Sequence, residues 1–177
     1  MNLEELFLKR QSTRDYSDEQ VTEDELKEIC RLAILAPSAI NAQPYNLYII
    51  CGEKAKSFSP LVQVKGSNSW ASKCPAFIVI EQRKPFEVTR GERKVTNEPF
   101  IGNDVGILSA YIALAAENMD IQTCIVGLRD EIRIAEFLNL PDGTPFPLVI
   151  ALGHKKEGYP VREKNRRDFN QTVHIIK

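Results

Sequence analysis

The segment DVGILSAYIALAAENM, from Asp104 to Met119, constrains the fold most, because it is apolar on nearly every side for about four helical turns. Such a helix has no face suited to water, so we expect it to be buried centrally instead of lying on a surface. Other helices and strands of the chain must then surround it. At 177 residues the chain is long enough to bury such a core, and we expect a single domain over 1–177.

Several flanking segments have patterns that predict such elements. Thr22 and Glu25 form a capping box, which predicts a helix that begins there and ends at Pro37. Short helices are predicted over 2–9 and 130–138, and apolar strands over 46–52, 76–82, 123–128 and 145–155. The connections are uneven in length. The pattern therefore predicts a core sheet packed by helices and does not establish a regular parallel βαβ arrangement.

Two segments lack a clear place in that core. Residues 83–99 are highly charged and without pattern, so we expect an exposed loop or mobile flap. The end of the tail, TVHII (172–176), reads as a strand with no obvious partner in its own chain. An arm that adds to the sheet of another subunit would give it one.

Composition excludes several classes of function. A formal net charge of -1 argues against nucleic-acid binding. We expect no membrane span, since the apolar runs look short of the roughly 20 residues required, and a cytoplasmic location, since the N-terminus is too charged for a signal peptide. The four cysteines are scattered and are expected to be reduced and mostly buried: Cys30, Cys51, Cys74 and Cys124.

No nucleophile or metal site can be assembled from the motifs. GNDVG (102–106) lacks the lysine and the spacing of a phosphate-binding loop, and no GxGxxG follows a strand. Two histidines, His154 and His174, are too few for a credible hydrolase or metal centre. If the chain is an enzyme, a bound cofactor must therefore supply the chemistry.

Three polar stretches stand out: RQSTR (10–14), APSAINAQPY (36–45) and REKNRR (162–167). Taken singly, each is an ordinary loop or a solvated run of charge. Together, two cationic clusters could converge on a dianion such as a phosphate monoester, to which arginine donates paired hydrogen bonds. The neutral side chains Ser38, Asn41 and Gln43 suit a polar heterocycle. The combination suggests a phosphorylated, ring-bearing cofactor.

These stretches, in this order, resemble the nitroreductase family of FMN-dependent oxidoreductases. RQSTR matches the family's R-x-S-x-[RK] motif, and APSAINAQPY matches its A-P-S-x-x-N-x-Q-P-[WY] motif. The segments NDVGILSAYIALAAENMDIQTCIVG and LNLPDGTPFPLVIALGHK, with the later EKNRR, resemble its second half. The resemblance implies an α+β fold: a central, mostly antiparallel sheet packed by helices, with a C-terminal arm exchanged in a homodimer.

The resemblance also implies the site residues. Arg10 and Ser12 would hold phosphate and ribityl oxygens of FMN, helped by Lys164 and Arg166, while Gln11 would contribute through its backbone. Arg14 would face the pyrimidine edge, where a cation stabilises the reduced flavin. Val126 and Gly127 would lie beside flavin N5, and Asn68 near the ring. The other subunit would contribute a further group: Pro37, Ser38, Ala39, Asn41 and Gln43.

The implied activity is hydride transfer from NADH or NADPH through flavin N5 to a nitroaromatic, a quinone or a similar small acceptor, in a ping-pong cycle. Three alternatives stay open: a catalytically silent flavin-binding protein for storage or sensing, a relative that uses reduced flavin and oxygen to rework a ring, and a flavin-free structural protein. Ala39 and Tyr45 replace a serine and a tryptophan that are frequent in the family. The family's substrate-covering insertion is short here, and 83–99 is its expected counterpart.

Overall fold

The computed structural model describes residues 2–177. The helices are α1 (Leu3–Lys9), α2 (Glu23–Ala33), α3 (Glu53–Phe58), α4 (Ile101–Asn118), α5 (Glu131–Leu138) and α6 (Phe169–Thr172). The strands are β1 (Tyr45–Cys51), β2 (Ala76–Gln82), β3 (Glu87–Arg90), β4 (Arg93–Thr96), β5 (Gln122–Val126) and β6 (Leu148–Gly153). Four of the strands form one sheet in the order β1-β2-β6-β5. Every neighbouring pair is antiparallel, which confirms the expected antiparallel sheet.

Both faces of the sheet are covered, and the buried side chains alternate between them. On one face Ile78 and Ile80 of β2 pack with α2 and α4. On the other face Phe77 and Val79 pack with Phe58 and with α5. The two covered faces explain why β2 reads as a continuous apolar run, with both its even and its odd positions buried.

The central helix α4 differs in two ways from the expectation. Glu98–Asn118 is long and apolar enough, at a mean hydropathy of 1.3, to meet the length and composition of a membrane span, although we expected no such run. Its buried side packs against α2 and the sheet, as in a core helix. Its other side is exposed in the single chain, so the prediction of a centrally buried helix holds only for the side that packs against α2 and the sheet. Small residues line that side, with two large apolar ones beside them: Gly102, Gly106 and Ala110, with Ile107 and Tyr111.

The segment 83–99 is exposed, as expected, but it is not an irregular loop. It forms the hairpin β3–β4, joined by Gly91 and Glu92, with Gly91 at a φ of 63°. At the base of the hairpin, the side-chain oxygen of Asn97 accepts a hydrogen bond from the Phe86 amide at 2.6 Å. The two-residue turn beginning with glycine, between two Val-Thr pairs, was the sequence signal for this hairpin.

Two other segments also differ from the sequence analysis. The polar stretch after β1 forms α3 and a series of 3₁₀ turns that bury Phe58, Leu61 and Val62. At the C-terminus, α6 ends at Thr172, and the last five residues form no strand among the described residues. Among these five residues, Ile175 is 80% exposed and Ile176 is 96% exposed. The predicted strand has no partner within its own chain, so the arm exchange stays a prediction.

Candidate cofactor-binding site

The RQSTR segment is fixed along the edge of the sheet. After α1 ends, Ser12 forms a parallel bridge with Thr123 of β5, and the Thr13 amide donates to the Thr123 carbonyl at 2.9 Å. Gln11 and Thr13 are buried, whereas Ser12 is half-exposed and Arg14 is exposed. The segment is therefore an extended edge chain and not a frayed helix end.

The C-terminal cationic run returns to this segment and is tied to it by side chains. Gln11 Nε2 donates to the Pro160 carbonyl at 2.8 Å, and Gln11 Oε1 accepts from the Arg162 amide and from Arg162 Nε, both at 3.1 Å. Arg162 Nη2 also donates to the Ser12 carbonyl. Lys164 Nζ donates to the Arg10 carbonyl at 2.6 Å. Buried Gln11 thus connects the two segments by its side chain, whereas the sequence analysis assigned it a backbone role.

Between the two segments lies a pocket of about 310 Å³ with strongly positive walls. Burial is the main cause of a lowered pKa at Lys164, and the neighbouring Arg10 and Arg166 lower this pKa further. These cations repel one another until an anion enters. Five cations line the pocket, together with one carboxylate and three neutral residues: Arg10, Arg14, Arg162, Lys164 and Arg166, with Glu163, Gln11, Ser12 and Asn165.

A buried carboxylate lies close to this pocket. Glu117 of α4 is 4% exposed, and its Oε2 has no hydrogen-bond partner among the described residues. Burial raises the pKa of Glu117, while the cations Lys155, Arg10 and Lys164 lower it in part. Because it is buried and largely desolvated, Glu117 offsets only part of the positive charge.

Val126 and Gly127 lie at the end of β5, on the same edge strand as the pocket. Val126 is buried and pairs with Val149, while Gly127 is exposed. The Gly127 carbonyl accepts a hydrogen bond from Arg129 Nη1, and Arg129 Nη2 in turn contacts Glu131. The guanidinium of Arg129 therefore fixes the chain where it leaves β5.

The Pro37–Gln43 loop lies at the opposite edge of the sheet. It leads into β1, whereas the cationic pocket lies along β5. Three strand spacings separate these edges, or about 14 Å at about 4.8 Å for each. One chain therefore does not bring together the two groups of predicted site residues. Asn68 lies outside the pocket, where its amide donates to the Val62 carbonyl at 2.9 Å.

The backbone of this loop is strained. Ile40, Asn41 and Gln43 have φ values of 49°, 56° and 46°, in the left-handed region that favours glycine. Each such residue is less stable there by about 1 kcal/mol or more. Within the loop, Ser38 Oγ accepts from the Gln43 amide at 3.0 Å, and Gln43 Nε2 donates to the Asn41 carbonyl at 3.1 Å. Such strain concentrates where a particular backbone shape is required.

Burial raises the pKa of three of the four cysteine thiols. All four are free. Burial raises the pKa of Cys30 to about 11 and that of Cys74 to about 12. It also raises the pKa of Cys124, which Arg14 lowers in part. Among residues 2–177 no group of three or more His, Cys, Asp or Glu side chains is arranged to hold a metal ion.

Arg162 is the cation of the pocket lining to which the sequence analysis gave no role. It was noted as part of REKNRR, but only Lys164 and Arg166 were assigned to the site. In an extended chain, alternate side chains point to the same side. The spacing of Arg162, Lys164 and Arg166 was therefore a signal that all three line one pocket.

Comparisons with known proteins agree on one family. The model of the nitroreductase family matches residues 8–63 and 53–154. A Bacillus subtilis strain 168 protein named FMN reductase (NAD(P)H) is 28% identical over 93% of this chain and 74% of its own length. A Thermus thermophilus protein named NADH dehydrogenase is 26% identical over 86% and 87%, respectively. The crystal structure of a nitroreductase family protein from Streptococcus pneumoniae has a TM-score of 0.81 over 99% of this chain and 100% of that one, at 17% identity.

Proposed function

This chain belongs to the nitroreductase family, and from that premise we propose that it is an FMN-dependent NAD(P)H oxidoreductase. Its electron donor is NADH or NADPH, and its acceptor is a small oxidised molecule such as a nitroaromatic or a quinone. The observation that carries the proposal is the pocket in which RQSTR and the C-terminal cations converge. The FMN and NAD(P)H named for the Bacillus subtilis relative support it.

The pocket fits the phosphate of FMN by charge. Arg10, Arg162, Lys164 and Arg166 surround a space whose positive charge only Glu163 opposes from its lining. Arginine and lysine donors suit a phosphate dianion, and a ligand of that charge offsets the effects of burial and of the neighbouring arginines, which lower the pKa of Lys164. Ser12 supplies a neutral hydroxyl at the same place. These residues would hold the phosphate and the ribityl chain.

When bound, FMN supplies the two-electron chemistry by accepting hydride from NAD(P)H at N5 and releasing it to the acceptor. The chain's own residues bind and tune the cofactor. Arg14 would stabilise negative charge on the pyrimidine edge, and the backbone of Val126 and Gly127 would lie at the N5 side. No protein acid, base or nucleophile would be required, which agrees with the burial that raises the pKa of Cys124, beside RQSTR.

The complete site requires two chains. The Pro37–Gln43 loop lies too far across the sheet to reach the cationic pocket of its own chain, so we assign it to the flavin of a second copy in a homodimer. The exposed side of α4, with small residues at Gly102, Gly106 and Ala110, allows close approach of another helix. The apolar C-terminal residues are free to pair with the open edge of the partner's β1.

We assign the acceptor to the space beside this loop. A cavity of about 860 Å³ lies between Asn41, the base of the hairpin at Lys84 and Phe86, and the Pro141–Pro145 turn. In the proposed homodimer it would adjoin the flavin of the neighbouring subunit, because it borders the loop assigned to that flavin. The hairpin β3–β4 would then take the place of the family's larger substrate-covering insertion.

Initial-velocity kinetics test the proposed cycle. Donor and acceptor occupy the same space in turn, so double-reciprocal plots at several quinone concentrations should be parallel, with either NADH or NADPH as donor. Lines that intersect would show that both substrates bind before reaction, and would contradict the ping-pong cycle. Absence of turnover with quinone and nitroaromatic acceptors, although FMN is bound, would favour a silent flavin-binding protein.

A further inference from the structure

Asp104 is a buried residue to which the proposed function assigns no role. It lies in the first turn of α4, within the GNDVG sequence, and is 3% exposed. Its Oδ1 accepts a hydrogen bond from the amide of Ala39 at 3.0 Å. Its Oδ2 has no partner among the described residues. A buried carboxylate of the central helix thus holds the backbone of the Pro37–Gln43 loop.

The loop depends on an outside contact for its shape. Its side chains are exposed or half-exposed, so little apolar packing holds the three left-handed residues in place. The hydrogen bonds of Ser38 and Gln43 join the loop only to itself. The bond from Ala39 to Asp104 instead anchors it to α4, a helix fixed in the core.

Tyr45, two residues after the loop, also lies near Asp104. Tyr45 is buried, and its hydroxyl has no hydrogen-bond partner among the described residues. Burial raises the pKa of this phenol, and the negative charge of Asp104 raises it further. Asp104 therefore bonds to the loop at Ala39 and lies near the chain just after it, at Tyr45.

We propose that Asp104 is a positioning residue that holds the Pro37–Gln43 loop in the shape that contacts the flavin of the neighbouring subunit. The inference rests on the proposed function, since it requires FMN and a homodimer. It adds that a carboxylate in the core of one subunit determines how tightly the other subunit holds its cofactor.

The first test compares three variants of the apoprotein by the quenching of FMN fluorescence on binding. Asp104→Ala removes the acceptor for the Ala39 amide and should weaken FMN binding about 20-fold. Asp104→Asn keeps a side-chain oxygen and should stay within about three-fold of the wild type. Ile134→Val, a buried change on the other face of the sheet, controls for a general loss of stability. Equal FMN affinity in Asp104→Ala and Ile134→Val would overturn the proposal.

The second test asks which subunit's flavin depends on Asp104. Chains carrying Arg10→Ala and Asp104→Ala are co-expressed with different tags, and the heterodimer is purified. If Asp104 serves the neighbour, one site combines the unaltered Arg10 of one chain with the unaltered loop of the other, so the heterodimer should bind one FMN tightly. If Asp104 serves its own chain, both sites are defective and no tight FMN remains, which would overturn the proposal.

The homodimers separate this inference from the proposed function. Arg10→Ala homodimers should lose tight FMN binding, because the phosphate contact is removed from both sites. Full FMN binding by those homodimers would contradict the assigned cofactor pocket itself. Circular dichroism of the Asp104→Ala and Asp104→Asn chains should match that of the wild type, so that a loss of FMN reports on the loop.

Discussion

The replacement Arg10→Ala tests the cationic pocket most sharply. Arg10 ends α1 at the pocket, and Lys164 is anchored to its carbonyl at 2.6 Å. The replacement keeps that carbonyl, and therefore the Lys164 contact, but removes the guanidinium. Its effect thus reports on the phosphate contact alone.

The size of the effect follows from the site. Hydrogen bonds to charged groups contribute about 1.5–3 kcal/mol each, so a paired arginine–phosphate contact contributes up to about 6 kcal/mol. Arg162, Lys164 and Arg166 remain and take over part of the charge. The pocket is also open to water, which screens the interaction. Halving the value gives about 3 kcal/mol, or about 140-fold weaker FMN binding.

Fluorescence titration of the apoprotein with FMN measures this change. Arg167→Ala is the matched control, because it removes the same charge from the same run but does not line the pocket. Its affinity should stay within about two-fold of the wild type. Equal affinities for Arg10→Ala and the wild type would refute the assignment of the pocket to phosphate. Riboflavin, which lacks the phosphate, should bind Arg10→Ala and the wild type with equal affinity.

Two further predictions concern charge near the site. An unscreened cation at about 4 Å would raise the flavin potential by roughly 90 mV, and exposure of Arg14 reduces this to about a third. Arg14→Gln should therefore lower the reduction potential of the bound flavin by about 30 mV, as measured by spectroelectrochemistry. An unchanged potential would place Arg14 away from the ring. Burial raises the pKa of Glu117, so its stabilising effect in the apoprotein is present at low pH and is lost as the pH rises through the raised pKa. Glu117→Gln should therefore raise the urea unfolding midpoint at pH 8 but not near pH 4. The control Glu23→Gln loses the pKa-lowering contact with Lys27 and should slightly lower the midpoint at pH 8. A lower midpoint for Glu117→Gln at pH 8 would contradict the argument.

The sequence predicted the elements whose signals are local. The capping box of Thr22 and Glu25 begins α2, with hydrogen bonds in both directions. The apolar run Ala76–Gln82 has the predicted bounds of β2, because both sheet faces cover that strand. The hairpin β3–β4 was missed because charged side chains hide its alternation. The 3₁₀ turns after α3 were missed because each is too short to produce a helical period.

The site residues divide in the same way. The two cationic segments could be paired from the sequence, because arginines separated along the chain suggest a shared anion. The side-chain role of Gln11 and the role of Asp104 could not be assigned in this way, since each depends on a contact across the fold. The sequence analysis examined GNDVG only as a phosphate-binding loop. The role that we propose for Asp104 in this segment could be inferred only from the folded chain, in which the Ala39 amide donates to its carboxylate.

The most direct measurement of the central claim is the visible spectrum of the purified protein, recorded before and after anaerobic addition of NADPH and then NADH. We expect flavin bands at one FMN per chain that bleach on addition of at least one donor and return with a quinone. Bands that persist with both donors would contradict the oxidoreductase and favour a silent flavin-binding protein. A colourless protein that binds no added FMN would contradict the cofactor site altogether.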